Sequence, residues 1–242
     1  MAGPTAETLF WSIALLVTGA VCWSISADRG RRVAEVQDAN EAMLRRLARV
    51  VEYRDKETGN HVERMGTVCG ILGRRFGLSA GPSAELQLAS TMHDVGKVAV
   101  PDAILLKPGK LTDAERVEMQ RHAQVGHDML ASSDSQLFQL AAMIAVTHHE
   151  RHDGRGYPNG LRGEAIPLPG RIAAVADVFD ALTSDRVYKA AMPIEQAVAI
   201  IREGAGSQFC PAVVAAFDAS LDQIVATCAT AATPVAPLTV AA

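Results

Sequence analysis

The stretch His93-Asp94-Val95-Gly96-Lys97 places an imidazole and a carboxylate on adjacent residues at the end of an apolar segment, followed by a lysine. Burying such a pair costs free energy unless a cation accepts the lone pairs of both side chains. Further side chains that bind metals are spread over about half of the chain: Glu57, His61, His122, His148, His149 and Asp177. The sequence therefore predicts a metal-dependent hydrolase.

Length and composition limit the class of protein. A chain of 242 residues can form one buried domain with additional segments, since single cores commonly contain about 100 to 200 residues. The formal net charge is −4, so nucleic acid is not an expected partner, because proteins that bind it usually carry a basic face. The four cysteines are far apart and form no CxxC pair, which is typical of a reducing compartment.

An uncharged run of 19 residues, 9–27, reads LFWSIALLVTGAVCWSISA and is long enough to cross a hydrocarbon layer of ~30 Å as a helix. Trp11 and Trp23 lie near its ends, where an aromatic belt would place them. Arginines follow the run at once, so the positive-inside bias predicts a single-pass inner-membrane protein with residues 1–8 outside and the catalytic domain in the cytoplasm. A cleaved signal peptide is the competing interpretation, although no basic residues precede the run.

Residues 28–45 are predicted to form a linker helix. Apolar residues and one asparagine recur here at spacings of three and four: Val33, Val36, Asn40, Met43, Leu47 and Val50. This pattern is typical of a short coiled coil and indicates a parallel homodimer through residues 33–50. A single amphipathic helix that packs on the following domain is the other interpretation, and fewer than three heptads do not separate the two.

Residues 46–220 are predicted to form an all-α domain. Thr112 and Glu115 have the spacing of a capping box before the helix that carries His122, and Pro193 and Gly204 bracket another helix. No strand-like alternation of useful length occurs. The segment 151–169, with four glycines and three prolines, is predicted to be a loop with room for a small hairpin. Residues 221–242 are predicted to be a disordered tail.

Three local patterns favour metal binding before any resemblance is considered. Glu57 and His61 are four residues apart, so on a helix both would project from one face. Asp94 next to His93 can serve two neighbouring ions, with the carboxylate bridging them. His148-His149 is a second doublet at the end of an apolar helix.

Five successive motifs resemble the signatures of the HD-GYP family, in the family's order and over residues 46–215. They are RDKETGNH at 54–61, HDVGK at 93–97, HHE at 148–150, DGRGYP at 153–158 and DVFDALTSDRVYK at 177–189. The resemblance implies a phosphodiesterase that hydrolyses cyclic di-GMP to pGpG, and further to GMP in some members. It also implies an all-helical HD bundle that holds two or three divalent metal ions, iron or manganese.

The resemblance also implies roles for individual residues. The implied metal ligands are Glu57, His61, His93, Asp94, His122, His148, His149 and Asp177. Among them Asp94 is expected to bridge two ions, and Glu57 is the ligand associated with three-metal members.

Catalysis and substrate binding are expected from neighbouring positions. A hydroxide that bridges the metal ions would attack phosphorus in line. Asp94 and Lys97 are the expected catalytic residues, with Lys97 binding a phosphate oxygen or protonating the leaving 3′-oxygen. Arg186 and Lys189 are expected to reach the substrate phosphates. The remaining implied positions shape the edge of the pocket: Gly154, Gly156, Tyr157 and Pro158. The family also links this signature to contacts with proteins that synthesise the messenger.

Two other functions fit the same motifs. One is a catalytically silent HD-GYP module that binds cyclic di-GMP or a signalling partner, although all eight implied ligands are retained. The other is an HD-type phosphohydrolase that acts on a monomeric nucleotide, which the glycine-rich signature after His148-His149 disfavours.

Overall fold

The computed structural model describes residues 6–55, 61–185 and 190–231, without the side chains of residues 8, 9, 12, 13, 37 and 229–231. The chain divides into two compact units, Met1–Leu44 and Arg45–Ala242. The described residues contain no strand, and their one isolated β-bridge joins Ala205 and Phe209. The prediction of an all-α fold is therefore confirmed.

Helix α1 spans Ala6–Arg54 and supplies all of the described part of the first unit. Its large apolar side chains are exposed, among them Trp11 and Leu15, which are 65% and 77% exposed. Within the described ranges no single helix is both long enough and apolar enough to span a membrane, and only a bent pair, Pro211–Asp218 with Leu221–Cys228, passes that test jointly.

The second unit is a bundle of short helices. These are α2 (His61–Arg75), α3 (Ala80–Ser90), α4 (Asp102–Leu105), α5 (Asp113–Leu130), α6 (Gln136–Thr147), α7 (Leu168–Thr183), α8 (Ile194–Glu203), α9 (Pro211–Asp218) and α10 (Leu221–Ala231), with 3-10 helices at Val95–Ala99 and Gly163–Ala165. Helix α2 is central and packs against α3, α7, α9 and α10, while α5 packs against α6 and the first 3-10 helix.

The core lies along α2, where Met65, Val68 and Leu72 are fully buried. Helix α3 approaches α2 closely because position 66 is glycine. A Cβ at Gly66 would lie 2.7 Å from the carbonyl oxygen of Gln87, closer than packed atoms can approach. This close crossing brings the carboxyl end of α3, with His93 and Asp94 just beyond it, next to the first residue of α2.

Two of the helix boundaries follow from local sequence signals. At the start of α5 the Thr112 hydroxyl accepts from the Glu115 amide at 3.3 Å and the Glu115 carboxylate accepts from the Thr112 amide at 2.8 Å, so the predicted capping box is confirmed. Helix α8 begins after Pro193 and ends at Glu203, so Pro193 and Gly204 bracket it as the sequence predicts.

The irregular segments differ in outcome. The predicted loop at 151–169 is confirmed up to residue 167, with a short 3-10 helix, Gly163–Ala165, in place of the small hairpin for which the sequence left room. The prediction for the tail is wrong. The predicted disordered tail, 221–242, begins with a helix, α10, whose Ile224 is fully buried and which packs on α2. The apolar character of this segment reflects burial against α2. Residues 232–242 of the predicted tail lie outside the described residues.

We expect Ile224→Ala to lower the free energy of unfolding by about 2 to 4 kcal/mol, because truncating a buried isoleucine leaves a cavity between α10 and α2. Chemical denaturation of the purified chain measures this change. Gln223→Ala is the matched control, since Gln223 precedes Ile224 on the exposed face of α10. Equal stability of the two variants would mean that α10 does not pack on the bundle.

Candidate metal centre

Seven of the eight predicted metal ligands converge in the second unit. His61 opens α2, His93 and Asp94 follow α3, and the rest come from α5, the end of α6 and the middle of α7: His122, His148, His149 and Asp177. The eighth, Glu57, lies outside the described residues, as do the predicted substrate contacts Arg186 and Lys189.

The seven side chains form two groups that could each hold one metal ion. The first group is His61, His93 and Asp177, and the second is Asp94, His122, His148 and His149, with one potential ligand atom of every member within 4.8 Å of the others. The two groups touch, since the ring centroids of His93 and His148 lie 5.0 Å apart.

Asp94 lies between the two groups. Its Oδ1 is 3.2 Å from Nε2 of His122 and 3.7 Å from Nε2 of His148, while its Oδ2 is 3.2 Å from Nε2 of His93. One carboxylate oxygen therefore faces each group, which is the arrangement that a bridging carboxylate requires.

Helix backbone fixes the orientation of three imidazole rings. Nδ1 of His93 lies 2.9 Å from the Ser90 carbonyl oxygen, and Nδ1 of His122 lies 2.8 Å from that of Met119. Nδ1 of His148 lies 2.9 Å from the carbonyl oxygen of Ala145. A carbonyl oxygen can only accept, so each Nδ1 carries a proton, and Nε2 of each neutral ring presents a lone pair to the site.

Four of the converging side-chain atoms lack a hydrogen-bond donor. Nε2 of His93, His122 and His148 and Oδ1 of Asp94 are buried, and none has a hydrogen bond of acceptable geometry. Leaving such an atom unpaired costs about 1 to 3 kcal/mol. Divalent cations accept lone pairs from nitrogen and oxygen together, so these donors fit metal ions.

The electrostatics of the site differ between its imidazoles. Burial opposes the charged form of His93, but the neighbouring Asp94 raises the pKa of this ring. Burial lowers the pKa of His148, and burial together with the neighbouring His148 lowers that of His149 well below its usual value. Both rings are therefore neutral near neutral pH and are able to coordinate a metal. Burial opposes the charged form of Asp94, but Lys97 and His93 hold the pKa of this carboxyl well below its usual range. Asp94 thus carries the negative charge at the centre of the site.

The exposed edge of the site is formed by its charged members. The side chains of Asp94, Asp177 and Lys97 are 20%, 19% and 17% exposed, whereas those of His93 and His148 are 0% exposed. The imidazoles therefore form the floor, and a ligand from solvent meets the carboxylates and the lysine first.

Lys97 is held in the site by residues at the end of α1. Its Nζ lies 2.7 Å from Asp94 Oδ2 and 2.6 Å from Asp55 Oδ2. The guanidinium of Arg54 donates to the carbonyl oxygen of Lys97 at 2.7 Å and to that of Val100 at 2.6 Å. These bonds explain why an Arg-Asp pair precedes the first predicted ligands in the sequence.

The glycine-rich loop covers the second group of ligands. Tyr157 stacks on His149 with ring centroids 4.7 Å apart. The buried carboxylate of Glu150 accepts from the amides of Asn159 at 2.7 Å and Leu161 at 2.9 Å, which closes the loop. The predicted pocket-edge residues Gly154, Gly156 and Pro158 lie in this loop, and Gly156 passes so close to His149 and Glu150 that a Cβ there would overlap their backbone.

Asp180 also reaches the first group, as the sequence analysis did not foresee. Its Oδ2 lies 2.8 Å from Nδ1 of His61, and it pairs with Arg64. The contact is buried, since the side chain of Asp180 is 3% exposed. The sequence signal was the spacing of Asp177 and Asp180, three residues apart on one helical face, whereas Arg64 carried no comparable signal. Asp55 and Glu150 lie inside the RDKETGNH and HHE motifs, but the motifs gave neither residue a role of its own.

Gly96 allows the first 3-10 helix to lie against α5. A Cβ at this position would overlap the carbonyl oxygen of His122 and the amide of Gly126. We therefore expect Gly96→Ala to push Asp94 away from His122 and to lower both thermal stability and the amount of metal that copurifies. Metal analysis and a melting curve measure the two effects.

Gly81→Ala is the matched control for Gly96→Ala, because a Cβ at position 81 meets nothing within 4 Å. Normal metal content and melting temperature in Gly96→Ala would contradict the close contact.

Comparison with known proteins agrees with this geometry. The HD domain model matches residues 45–213, and this range contains every described ligand. Together with the five motifs, the match shows that the chain belongs to the HD-GYP family of HD domain proteins.

Several relatives are similar over this same region. The chain is 47% identical over 193 residues to the cyclic di-GMP phosphodiesterase response regulator RpfG of Xanthomonas campestris, covering 78% of this chain and 51% of that protein. It is 45% identical over 183 residues to a cyclic di-GMP phosphodiesterase of Thermotoga maritima, covering 76% and 50%. A 3′3′-cGAMP-specific phosphodiesterase of Vibrio cholerae is 43% identical over 182 residues, covering 75% and 35%. The chain thus spans about half the length of the first two relatives.

Solved structures show the same fold. A crystal structure of a cyclic GMP-AMP-specific phosphodiesterase of V. cholerae superposes with a TM-score of 0.56 at 20% identity, covering 76% of this chain and 50% of that one. An HD-GYP-like protein of Bdellovibrio bacteriovorus gives a TM-score of 0.53 at 17% identity, covering 68% and 52%. The HD fold of the second unit is therefore confirmed.

Proposed function

We propose that this chain is a metal-dependent phosphodiesterase that hydrolyses cyclic di-GMP to pGpG. The observation that carries the proposal is the buried, donor-free convergence of His93, His122 and His148 on Asp94. The choice of substrate is supported by the two most similar relatives described above, which are named for cyclic di-GMP.

The side chains have separate tasks in this proposal. His61, His93 and Asp177 would hold one divalent ion, and His122, His148 and His149 the other, with Asp94 between them. When bound, such ions supply a water of lowered pKa and stabilise the charge on the non-bridging phosphate oxygens. We propose iron or manganese, because both accept imidazole and carboxylate ligands. A third ion would require Glu57.

Lys97 would act on the phosphate. Its ammonium lies at the exposed edge of the site, 2.7 Å from Asp94, and can bind a non-bridging oxygen through a charge-assisted hydrogen bond. Once the water has lost a proton to solvent, its hydroxide oxygen forms the bond to phosphorus as the bond to the 3′-oxygen breaks, and Lys97 can donate its proton to the leaving 3′-oxygen. Arg186 and Lys189 are proposed to contact the substrate phosphates.

Two alternatives to this proposal differ from it in substrate or in catalysis. A relative named for 3′3′-cGAMP is 43% identical, so a mixed cyclic dinucleotide is the second candidate substrate. A silent module that binds cyclic di-GMP without cleaving it would need the same pocket but no metal-dependent turnover. Hydrolysis of a monomeric nucleotide is disfavoured, because the chain carries the glycine-rich DGRGYP signature at 153–158.

We expect the purified full-length chain to convert cyclic di-GMP to pGpG with added Mn²⁺ or with anaerobic Fe²⁺, and to be inhibited by a chelator. Asp94→Ala should lower the rate by at least about 10²-fold, because it removes the carboxylate that lies between the two ligand groups. The metal ions that these groups would hold stabilise the transition state by several kcal/mol. Chromatography of the products follows the reaction and shows whether pGpG is cleaved further to GMP.

Asp128→Asn is the matched control, since Asp128 is an exposed aspartate that contacts Gln124 and His127 and belongs to neither ligand group. Faster cleavage of 3′3′-cGAMP than of cyclic di-GMP would reassign the substrate. Tight binding of intact cyclic di-GMP by the metal-loaded chain would identify the silent module instead.

We further propose that residues 9–27 anchor the chain in the inner membrane with the catalytic unit in the cytoplasm. The proposal is supported by the uncharged run, by the arginines after it, and by the exposure of Leu16 and Trp23, 73% and 75%. A homodimer through residues 33–50 is supported by the exposure of Val36 and Met43. We also propose that the glycine-rich loop, in which Arg155 is exposed, contacts a protein that synthesises the messenger, as the family resemblance implies.

We expect the full-length chain to float with anionic lipid vesicles in a density gradient, whereas residues 28–242 should remain in the soluble fraction. Light scattering on the full-length chain in detergent should give the mass of two copies. If the full-length chain did not float with the vesicles, the membrane anchor would be contradicted. If light scattering gave the mass of one copy, residues 33–50 would form a single amphipathic helix and not a dimer.

A further inference from the structure

Asp180 is a buried carboxylate behind a proposed metal ligand. It lies on α7 one turn after Asp177 and is 2% exposed. Its Oδ2 is 2.8 Å from Nδ1 of His61, while the other ring nitrogen of His61, Nε2, is 3.6 Å from Oδ1 of Asp177. The imidazole is therefore held between two carboxylates of one helical face, with only one of them in the ligand group.

Arg64 and Ser184 fix Asp180 in this position. The guanidinium of Arg64 donates to Oδ1 at 2.5 Å and to Oδ2 at 2.9 Å, and it also donates to Ser184 Oγ at 2.7 Å. Ser184 Oγ in turn lies 3.3 Å from Asp180 Oδ2. Both carboxylate oxygens are thus engaged, so Asp180 is directed toward Nδ1 and is not free to turn into the ligand group.

The Nδ1 partner of His61 differs from that of the other buried imidazoles. His93, His122 and His148 each donate Nδ1–H to a carbonyl three residues earlier. His61 is the first described residue of α2, and its Nδ1 meets the Asp180 carboxylate instead of a carbonyl oxygen. A side chain from α7 takes the place of that carbonyl, and it brings a negative charge.

We propose that Asp180, oriented by Arg64, is a positioning residue that holds His61 with its proton on Nδ1 and its Nε2 toward Asp177. A carboxylate behind a ligating histidine fixes the ring and makes it a stronger donor. Asp180 therefore sets the metal affinity of the group His61, His93 and Asp177, and leaves the group around His122 unaffected. This inference rests on the proposed metal-dependent function.

The test is metal binding by the full-length Asp180→Asn variant. Asparagine has the shape of aspartate, but its amide nitrogen would face either His61 Nδ1–H or Arg64, donor against donor. We expect the wild type to bind two Mn²⁺ ions per chain and the variant to retain one. The affinity for the lost ion should fall by about 10- to 100-fold, with the other unchanged.

Isothermal titration gives the two affinities, and electron paramagnetic resonance of the Mn²⁺-loaded protein gives an independent signature. A coupled pair of ions in the wild type should be replaced by the spectrum of an isolated ion in Asp180→Asn. Asp218→Asn is the matched control, since Asp218 pairs with Arg202 at 3.0 Å and belongs to neither ligand group.

The outcomes separate this inference from the proposed function. Two ions in Asp180→Asn with wild-type affinities would overturn the positioning role while leaving the metal-dependent function intact. Equal weakening of both ions would overturn the selective effect. A folded wild type that binds no divalent metal would overturn both proposals.

A second variant keeps the test decisive if Asp180→Asn does not fold. Ser184→Ala removes one contact from Arg64 and one from Asp180 and leaves both charges in place. We expect it to weaken the same single ion by a smaller factor than Asp180→Asn. Unchanged affinity for both ions in Ser184→Ala would then overturn the inference.

Discussion

One electrostatic constraint governs the second unit: several hydrogen-bond acceptor atoms face one another in its buried interior. Nε2 of three imidazoles and Oδ1 of Asp94 point to the same space without a donor between them. At about 1 to 3 kcal/mol for each unpaired atom, this convergence opposes folding unless positive charge is brought to it. Lys97 supplies one such charge beside Asp94, and the proposed cations would supply the rest.

Helix geometry makes this arrangement possible. A histidine in the last turn of a helix, or just beyond it, can donate Nδ1–H to the carbonyl three residues earlier, which directs Nε2 outward along the helix axis. His93 and His148 both use such a carbonyl at a helix end. The close packing of α2 on α3 and of the first 3-10 helix on α5 then brings these ends together, and both contacts depend on glycine, at Gly66 and Gly96.

Much of the site could be predicted from the sequence because its chemistry lies in short motifs. Adjacent His and Asp residues at the end of an apolar segment indicate ligands, and the all-α class follows from periodicity and caps such as Thr112 with Glu115. Asp180 was not assigned a role, because a carboxylate that supports a ligand looks like any polar residue on a helical face. The structure shows its role through the contact of its Oδ2 with Nδ1 of His61, at 2.8 Å.

The tail was predicted wrongly for a related reason. From Val225 the tail is rich in alanine, threonine and valine and carries no charge, which resembles disordered sequence. Helix α10 nevertheless forms there, and its Ile224 is buried where it packs on α2. Packing of this kind depends on which surface the rest of the chain presents. Local composition does not contain that information, whereas the motif spacing around His93 and His148 does contain the identity of the ligands.

The most direct test of the account is a crystal structure of the manganese- or iron-loaded chain with anomalous scattering measured at the metal edge. The account predicts two adjacent peaks, one bonded by His61, His93 and Asp177 and the other by His122, His148 and His149, with one oxygen of Asp94 on each. A well-ordered bundle with a single peak, or with metal bound away from Asp94, would contradict it.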